Sequence, residues 1–232
     1  RQHPIERDPE ISSNDNYKLL EKKLKKKYKE RFIFINADQN LNSYDLIEKS
    51  DLIIACDGAM KNCVESNVAV DFLIGDMDSI SEETLQYAES KNTEIIKILD
   101  QQNNDLSKAI SFAQNLSPQS IDIIGVDGGR SDHQFANYFS LFECQVDTTL
   151  HLDDCKVIPV NKSNPMTRSI ELEKEFSVFS IGQSFGVNLS GGKWELNDAE
   201  LSPSSIGLHN VAVADNLIIN CSDGDLLVFV NR

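Results

Sequence analysis

The chain has 232 residues and a formal net charge of −15, and 40% of its residues are hydrophobic. This composition is typical of one or two globular domains and excludes a chain that is disordered over most of its length. No segment approaches the roughly 18 apolar residues of a membrane-spanning helix. The first ten residues also lack the apolar stretch of a secretory signal. We therefore expect a folded cytoplasmic protein with no membrane partner.

Charge is unevenly distributed, because the first 31 residues are net basic and the rest of the chain is strongly acidic. An acidic surface repels a phosphate backbone, so we expect no nucleic-acid partner. Residues 1–31 are predicted to form a basic leader that is partly disordered or helical. The five cysteines include no CxxC pair, which favours reduced thiols over a zinc site or a disulfide framework.

Short apolar segments alternate with helix-like segments from residue 32 onward. Strands are predicted at 32–35, 52–55, 72–74, 95–98 and 121–124. Helices are predicted after Ser81, which is a good N-cap residue, over 105–116 and over 132–144. Buried strands separated by helices predict a mainly parallel α/β sheet that is covered on both faces.

The pattern changes near residue 150, where strand-like segments follow one another without helices between them. These segments are 150–152, 156–160, 169–172, 176–181, 187–189, 211–213, 217–219 and 226–230. Many short strands separated by turn residues predict an antiparallel β-sandwich. We therefore predict an α/β domain at 32–155 and a β-sandwich domain at 156–232.

Carboxylates and glycines follow consecutive strands of the predicted parallel sheet, at the edge where such sheets bind ligands. Asp76 and Asp78 are two residues apart, and in extended backbone both carboxylates would point the same way. With Asp105 nearby they would repel one another unless a cation such as Mg²⁺ bridged them. The alternative is that these aspartates only form turns and helix caps.

Two further segments carry candidate binding residues. Arg130 follows a glycine pair before a predicted helix, where backbone N–H groups and a guanidinium can hold an anion. The alternative is a plain turn in which Ser131 or Asp132 caps the helix and Arg130 pairs with a neighbouring acid. Trp194 is the only tryptophan and also follows a glycine pair. It is either a core residue or a flat face for a heteroaromatic ring, especially a cationic one.

Taken in order, these motifs resemble those of the thiamine pyrophosphokinases (thiamine diphosphokinases) over about residues 32–232. The motifs that carry the resemblance are Cys56-Asp57-Gly58-Ala59, Gly75-Asp76-Met77-Asp78-Ser79-Ile80, Asp100-Gln101, Asp105-Leu106-Ser107-Lys108-Ala109, Gly128-Gly129-Arg130-Ser131-Asp132-His133, Asn137, Gly192-Lys193-Trp194-Glu195-Leu196 and His209-Asn210. The resemblance implies a nucleotide-binding α/β domain followed by a β-sandwich that contributes to thiamine binding. It also implies a homodimer with active sites between the subunits, and transfer of a diphosphoryl group from ATP to the hydroxyl of thiamine with Mg²⁺.

Carried over by position, the resemblance implies roles for individual residues. The catalytic residues would be Asp76, Asp78, Asp105 and Asp132, the first three of them as metal ligands. The ATP and phosphate contacts would be Asp57, Gln101, Lys108 and Arg130, and the thiamine contacts Trp194 and Asn210. The chain departs from the family pattern at Ala59, Gln102, Asn104 and His209. A Mg²⁺-dependent phosphohydrolase and a non-catalytic nucleotide- or thiamine-binding sensor stay open as alternatives.

Overall fold

The fold is described from a computed structural model, which covers residues 31–78, 80–100, 102–127 and 130–232 except for the gap at 36–43. For residues 31–35 and 44 only the backbone is described. The predicted leader therefore lies outside the described residues, apart from Arg31, which is the first residue of strand β1. Gln101, Gly128 and Gly129 also lie outside them.

The first half of the chain forms a parallel sheet with helices, as predicted. Its strands are β1 (Arg31–Ile35), β2 (Leu52–Cys56), β3 (Phe72–Gly75), β4 (Glu94–Lys97), β5 (Ser120–Ile124) and β6 (Asp147–His151). They lie in the order β6-β5-β1-β2-β3-β4, and each neighbouring pair is parallel. The described helices are α1 (Tyr44–Glu48), α2 (Met60–Glu65), α3 (Glu82–Ser90), α4 (Asp105–Asn115) and α5 (Ser131–Ser140).

A side-chain cap marks the beginning of one of two helices that the sequence predicted to be capped. The Ser81 side chain accepts a hydrogen bond from the backbone N–H of Thr84 at 3.2 Å, so Ser81 caps α3 as predicted. Helix α5 behaves differently, because its N-cap residue is Arg130 and no side chain accepts a capping hydrogen bond there. The interpretation of Ser131 or Asp132 as the cap of this helix was therefore wrong.

The second half of the chain is antiparallel. Its strands are β7 (Cys155–Asn161), β8 (Met166–Ser169), β9 (Glu175–Ser180), β10 (Ser184–Ser190), β11 (Leu196–Leu201), β12 (Asn210–Val211), β13 (Asn216–Asn220) and β14 (Asp225–Asn231). Strand β7 pairs antiparallel with β6, so the first sheet continues through β7, β14, β9 and β12 to ten strands. The other four strands form a separate sheet in the order β11-β10-β13-β8.

Three hydrophobic clusters hold these layers together. Helix α4 covers one face of the parallel strands, where Phe112 contacts Phe72 at a ring-centroid distance of 5.0 Å. Helices α2 and α3 pack on a second cluster, and a third joins β7, β9 and β14 to strands of the four-stranded sheet. The prediction of a partly parallel α/β region followed by an antiparallel region is confirmed. The division into two domains stays a prediction, because β6 and β7 pair within one sheet.

The strand predictions failed at two places where side-chain burial departs from simple alternation. A strand was expected at 169–172, but Leu172 is exposed in a turn and Glu173 has a φ of 66°, so β8 ends at Ser169. Strand β11 was missed because a register shift in its pairing with β10 interrupts the alternation of buried residues. Asp198, in this strand, has a φ of 50°.

Candidate active site

Asp57 is the most buried carboxylate at the carboxyl end of the parallel sheet, with only 2% of the residue exposed. It follows β2 directly and accepts hydrogen bonds from the backbone N–H of Gly58 at 2.6 Å and of Met77 at 3.1 Å. Its side chain also explains Gly75, because a Cβ atom there would lie 2.6 Å from the Asp57 carboxyl carbon. The glycine therefore makes room for a carboxylate.

The Asp76-Met77-Asp78 segment is a turn and not the extended backbone that the sequence analysis assumed. Met77 has a φ of 66°, and the backbone N–H of Asp78 donates to the Asp76 carboxylate at 3.2 Å. This turn directs the N–H of Met77 at Asp57. The two aspartates thus come together through left-handed backbone at Met77, a reason that two-residue spacing alone does not reveal.

Three carboxylates meet at this point. Asp57, Asp76 and Asp78 each offer one ligand atom, and these atoms lie within 4.8 Å of one another. Burial and the charges of Asp105 and Asp76 raise the pKa of Asp57 to about 6. The backbone hydrogen bond from Asp78, together with the charge of Lys108, lowers the pKa of Asp76. A partly buried set of hard oxygen ligands with unbalanced negative charge suits a divalent cation such as Mg²⁺.

Asp105 lies beside this carboxylate cluster and is held by a lysine. The Lys108 ammonium is one helical turn further along α4, and it lies 2.8 Å from the Asp105 carboxylate and 3.9 Å from that of Asp76. Only 5% of the Lys108 side chain is exposed. Burial disfavours its charged form, but the hydrogen bond with Asp105 and the neighbouring carboxylates outweigh burial and raise its pKa. Lys108 is therefore the internal counter-ion of the cluster.

Arg130 and Asp132 form a separate, exposed pair on the same edge. The Arg130 guanidinium donates to both oxygens of Asp132, at 3.1 and 2.6 Å. This two-bond pairing lowers the pKa of Asp132, so its carboxylate is a weak base. The prediction that Arg130 pairs with a neighbouring acid is therefore confirmed. About three-quarters of the Arg130 side chain is exposed.

Trp194 is not a core residue, since 57% of it is exposed. Its backbone is fixed by Asn210, whose side chain accepts from the Trp194 N–H at 3.2 Å and donates to the Trp194 carbonyl at 2.8 Å. Gly192 leaves space for this contact, because a Cβ there would lie 2.9 Å from the Asn210 amide. The structure thus brings Trp194 and Asn210 together and presents the indole ring to solvent.

The chain is similar to known proteins in both sequence and fold. The family model described as "Thiamin pyrophosphokinase, catalytic domain" matches residues 43–152. The resemblance to the thiamine pyrophosphokinases is confirmed. Thiamine pyrophosphokinase 2 of Oryza sativa subsp. japonica is 31% identical over 66% of the chain and 62% of its own length. Thiamine pyrophosphokinase 1 of the same organism is 29% identical over 68% of the chain and 64% of its own length.

Solved structures share the fold. The thiamine pyrophosphokinase of Bacillus subtilis superposes with a TM-score of 0.73 over 87% of this chain and 98% of that chain, at 20% identity. That of Candida albicans gives a TM-score of 0.73 over 90% of each chain, at 17% identity. The chain spans less than two-thirds of the length of the curated relatives named above.

Two departures from the thiamine pyrophosphokinase pattern fit their local environments. The Ala59 side chain is fully buried in the cluster under α2 and α3, and its φ of −84° suits any residue. His209 has a φ of 62° and is exposed, and its backbone N–H donates to the Ser177 hydroxyl at 3.3 Å. Among the described residues nothing connects either side chain to the carboxylates.

Asn104, the third departure, is the N-cap of α4 and the centre of a polar network that the sequence analysis missed. Its side-chain oxygen accepts from the Ser107 N–H at 2.8 Å, and its amide nitrogen donates to Asn137 at 3.2 Å. Ser107 in turn donates to Glu143 at 2.9 Å. A threonine could cap the helix, but its hydroxyl has one donor hydrogen, whereas this amide has two and directs them at Asn137 and Ser140. The network links the first turn of α4, which carries Asp105, to α5.

Gln102, the fourth departure, lies in a loop organised by another carboxylate. Asp100 accepts from the Gln102 backbone N–H at 2.8 Å and from the Asn103 side chain at 2.7 Å. The Gln102 side chain is exposed, so its replacement of a family carboxylate removes a charge from the edge of the site and leaves the loop intact. A signal for this loop was present in the sequence, as an acid followed by several amide residues.

Proposed function

We propose that this protein is a thiamine diphosphokinase, which transfers the diphosphoryl group of ATP to the hydroxyl of thiamine and releases AMP. The observation that carries the proposal is the cluster of Asp57, Asp76 and Asp78 beside Lys108, at the carboxyl ends of adjacent strands. This cluster lies within residues 43–152, which match the catalytic domain of the family. Carboxylates and one buried ammonium at such an edge are suited to a metal-bound polyphosphate.

The three clustered carboxylates fit Mg²⁺, and Asp105 completes the proposed ligand set. The buried, repelling carboxylate of Asp57 gains a favourable partner when a cation is bound. When bound, Mg²⁺ neutralises charge on the phosphate oxygens that it contacts. Lys108 would keep Asp105 and Asp76 oriented toward the cluster throughout the reaction.

The reaction is an attack of the thiamine hydroxyl oxygen on the β-phosphorus of ATP. One oxygen–phosphorus bond forms, the bond between the β-phosphorus and the α-phosphate breaks, and AMP leaves. Arg130, with Gln101, would hold the polyphosphate, and Arg130 must exchange its contact with Asp132 for phosphate oxygens to do so. Asp105 and Asp132 are the two proposals for the group that orients or deprotonates the hydroxyl. Catalysis of this kind rests mainly on positioning and charge neutralisation.

Trp194 is proposed to stack on the cationic thiazolium ring of thiamine. Its exposed indole, fixed by Asn210, supports this role. The two facing sheets of residues 156–232 would then be a β-sandwich domain that binds thiamine, and residues 32–155 the domain that binds ATP and metal. Five cysteines, all with free thiols, favour the cytoplasm as the site of the reaction.

The sheet order supports an active site shared between two copies of the chain. Strand β12, which carries Asn210, is seven strands away from β2, which leads into Asp57. At about 4.8 Å per strand this separation is about 34 Å along the sheet. A thiamine molecule is far shorter than this path, which favours a site in which Trp194 of one chain presents thiamine to the carboxylates of the other. In the proposed homodimer, each active site combines the carboxylate cluster of one chain with the Trp194 indole of the other chain.

Apolar surface for such a contact is present near the carboxylate edge. Phe135 and Phe139 of α5 form an edge-to-face pair at 5.1 Å and are 60% and 45% exposed. The helix that carries them begins beside Arg130. Aromatic residues are enriched at protein–protein interfaces relative to the rest of the surface. Light scattering after size exclusion should give about twice the chain mass, and a fully active monomer would contradict the shared site.

One incubation tests the proposed activity against its alternatives. The protein is incubated with ATP and Mg²⁺, with and without thiamine, and AMP and thiamine diphosphate are measured. Thiamine-dependent AMP in amounts equal to thiamine diphosphate supports the kinase. Release of phosphate without thiamine would identify a phosphohydrolase, and binding of both ligands without turnover would identify a sensor. The Asp78→Asn variant controls for contaminating kinases.

A further inference from the structure

Lys193 occupies one face of the Trp194 indole. Its Nζ lies 4.8 Å from the centre of the ring, which is within the range in which an ammonium is attracted by the π-electrons of an indole. No described carboxylate lies within 4.0 Å of this ammonium. The indole is therefore the partner that the Lys193 charge has in the ligand-free protein.

The backbone that carries these two side chains is fixed by hydrogen bonds. The Lys193 N–H donates to the Val211 carbonyl at 2.8 Å, and Asn210 bonds to both the N–H and the carbonyl of Trp194. Gly192 and Ala212 form a further bridge on the other side of the lysine. Because the main chain is fixed on both sides, the Cα atoms of Lys193 and Trp194 are held next to each other, within reach of the contact between the ammonium and the ring.

A second cation that stacks on the same indole meets two penalties. It lies within a few ångströms of the Lys193 ammonium across the ring, where like charges repel. The ring that already attracts one cation also has less π-electron density to offer a second. A neutral ring of the same shape meets neither penalty, because it depends on dispersion and apolar contact alone.

We propose that Lys193 sets the specificity of the Trp194 site by competing with cationic rings for the indole. The proposal rests on the proposed function, in which the stacking ligand is thiamine. On this account the lysine weakens binding of the thiazolium cation and leaves binding of neutral heteroaromatic rings nearly unchanged. Affinity for thiamine is thus held below what the bare indole would give, which favours turnover over tight retention of the substrate.

The contact itself can be tested without any ligand. Trp194 is the only tryptophan, so fluorescence excited at wavelengths that the tyrosines do not absorb reports on this ring alone. Lys193→Met keeps most of the side-chain length and removes the charge, and it should shift the emission of the ligand-free protein. Lys193→Arg keeps a cation at the ring and should shift it less. Identical spectra for the wild type and Lys193→Met would show that the ammonium does not contact the ring in solution.

The specificity is tested with a matched pair of small probes and with thiamine. The neutral probe is 5-(2-hydroxyethyl)-4-methylthiazole, and the cationic probe is its N-methyl derivative. Lys193→Met should bind the cationic probe and thiamine about two- to fivefold more tightly than the wild type. It should bind the neutral probe equally well, and Lys193→Arg should show no gain for any of the three.

The outcomes separate this inference from the proposed function. Equal changes for the neutral and cationic probes, or weaker thiamine binding by Lys193→Met, would overturn the competition and make Lys193 a packing residue. If thiamine changes the fluorescence of neither protein but the cationic probe binds more tightly to Lys193→Met, the inference stands and the proposed substrate fails. If thiamine binds both proteins equally, the inference fails and the proposed function stands.

Discussion

The carboxylate cluster and the Trp194 turn achieve their geometry in opposite ways. In the cluster the side chains are partly buried and strongly coupled by charge, with Lys108 as the internal counter-ion. In the turn the backbone is fixed by Asn210, and the side chain that matters is exposed to solvent. Repulsion between its carboxylates therefore destabilises the cluster until a cation binds, whereas the backbone of the turn already has its hydrogen bonds without a ligand. Ligands should change the stability of the first region much more than that of the second.

The largest expected effect comes from removing one charge in the cluster. Asp78→Asn keeps the shape of the side chain but replaces a carboxylate oxygen with a weaker, neutral ligand. Turnover should fall by at least about 100-fold, since metal-based charge stabilisation is worth several kcal/mol. The metal-free variant should melt at the same temperature as the wild type or higher, because one repulsive charge is gone.

A melting series distinguishes this role from a capping role for Asp78. Mg²⁺ with ATP should raise the melting temperature of the wild type and have little effect on Asp78→Asn. Glu83→Gln, on the exposed side of α3, is the matched control and should behave like the wild type. An Asp78→Asn protein that is less stable without metal, yet normally stabilised by Mg²⁺ with ATP, would make Asp78 a helix or turn cap.

The next effect concerns the internal counter-ion of the cluster. Lys108→Met keeps the buried stem but leaves Asp105 and Asp76 without their cation. We expect a loss of about 1–3 kcal/mol in the free energy of unfolding, less than for a fully buried pair because both carboxylates are partly exposed. Lys61→Met removes a surface partner of Glu65 and should cost less than about 0.5 kcal/mol. Similar losses for the two variants, measured by urea denaturation, would show that Lys108 balances no charge.

A smaller effect is expected at the turn. Trp194→Ala should weaken thiamine binding by several-fold to about thirtyfold and leave ATP binding unchanged, because cation–π stacking is worth roughly 0.5–2 kcal/mol. Phe185→Ala, another exposed aromatic residue of the same sheet region, should affect neither ligand. Calorimetry measures both affinities without relying on tryptophan fluorescence. Equal losses for the two ligands together with a lower melting temperature would show that Trp194 is mainly structural.

The smallest effect is a dependence of stability on pH. The folded-state pKa of Asp57 is raised to about 6, so the folded protein holds this proton more tightly than the unfolded chain. The resulting stabilisation is present below about pH 4 and is lost as the pH rises through about 6. Bound Mg²⁺ replaces the lost proton, so the gain in melting temperature from Mg²⁺ with ATP should be larger by a few degrees, about 2–4 °C per kcal/mol, at pH 7.5 than at pH 5. An equal gain at both values would show that Asp57 is not linked to the metal.

The sequence predicted the order of the elements because hydrophobic strands and helix caps are local signals. It placed strands β1 to β5 within one residue and found the cap at Ser81. It placed β6 three residues too late, at 150–152, and grouped it with the antiparallel strands although β6 is parallel to β5. It also assembled the residues of the candidate site, because the carboxyl ends of adjacent parallel strands meet at one edge. Asp76 and Asp78 were paired for the wrong local reason, since the left-handed backbone of Met77 has no signature in a non-glycine residue.

Tertiary contacts account for what the sequence could not predict. Asp57 joins the carboxylate cluster because Gly75, eighteen residues further along the chain, leaves space for its side chain. Asn104 was noted only as a departure from the family pattern, yet it caps α4 and bonds to Asn137, more than thirty residues away. The exposure of Trp194 was undecided because a tryptophan after glycines fits a core and a surface equally well. The folded chain leaves 57% of it exposed, while bonds to Asn210 fix its backbone.

The most direct test of the account is whether the two regions act together across two copies of the chain. Asp78→Asn and Trp194→Ala chains carrying different tags are co-expressed, and mixed dimers are isolated by successive affinity steps. In a mixed dimer one site combines both substitutions and the other has neither, so activity at low thiamine should be about half that of the wild type. This exceeds the mean activity of the two homodimeric variants. Activity no higher than that mean, or the absence of any species that carries both tags, would contradict a site shared between subunits.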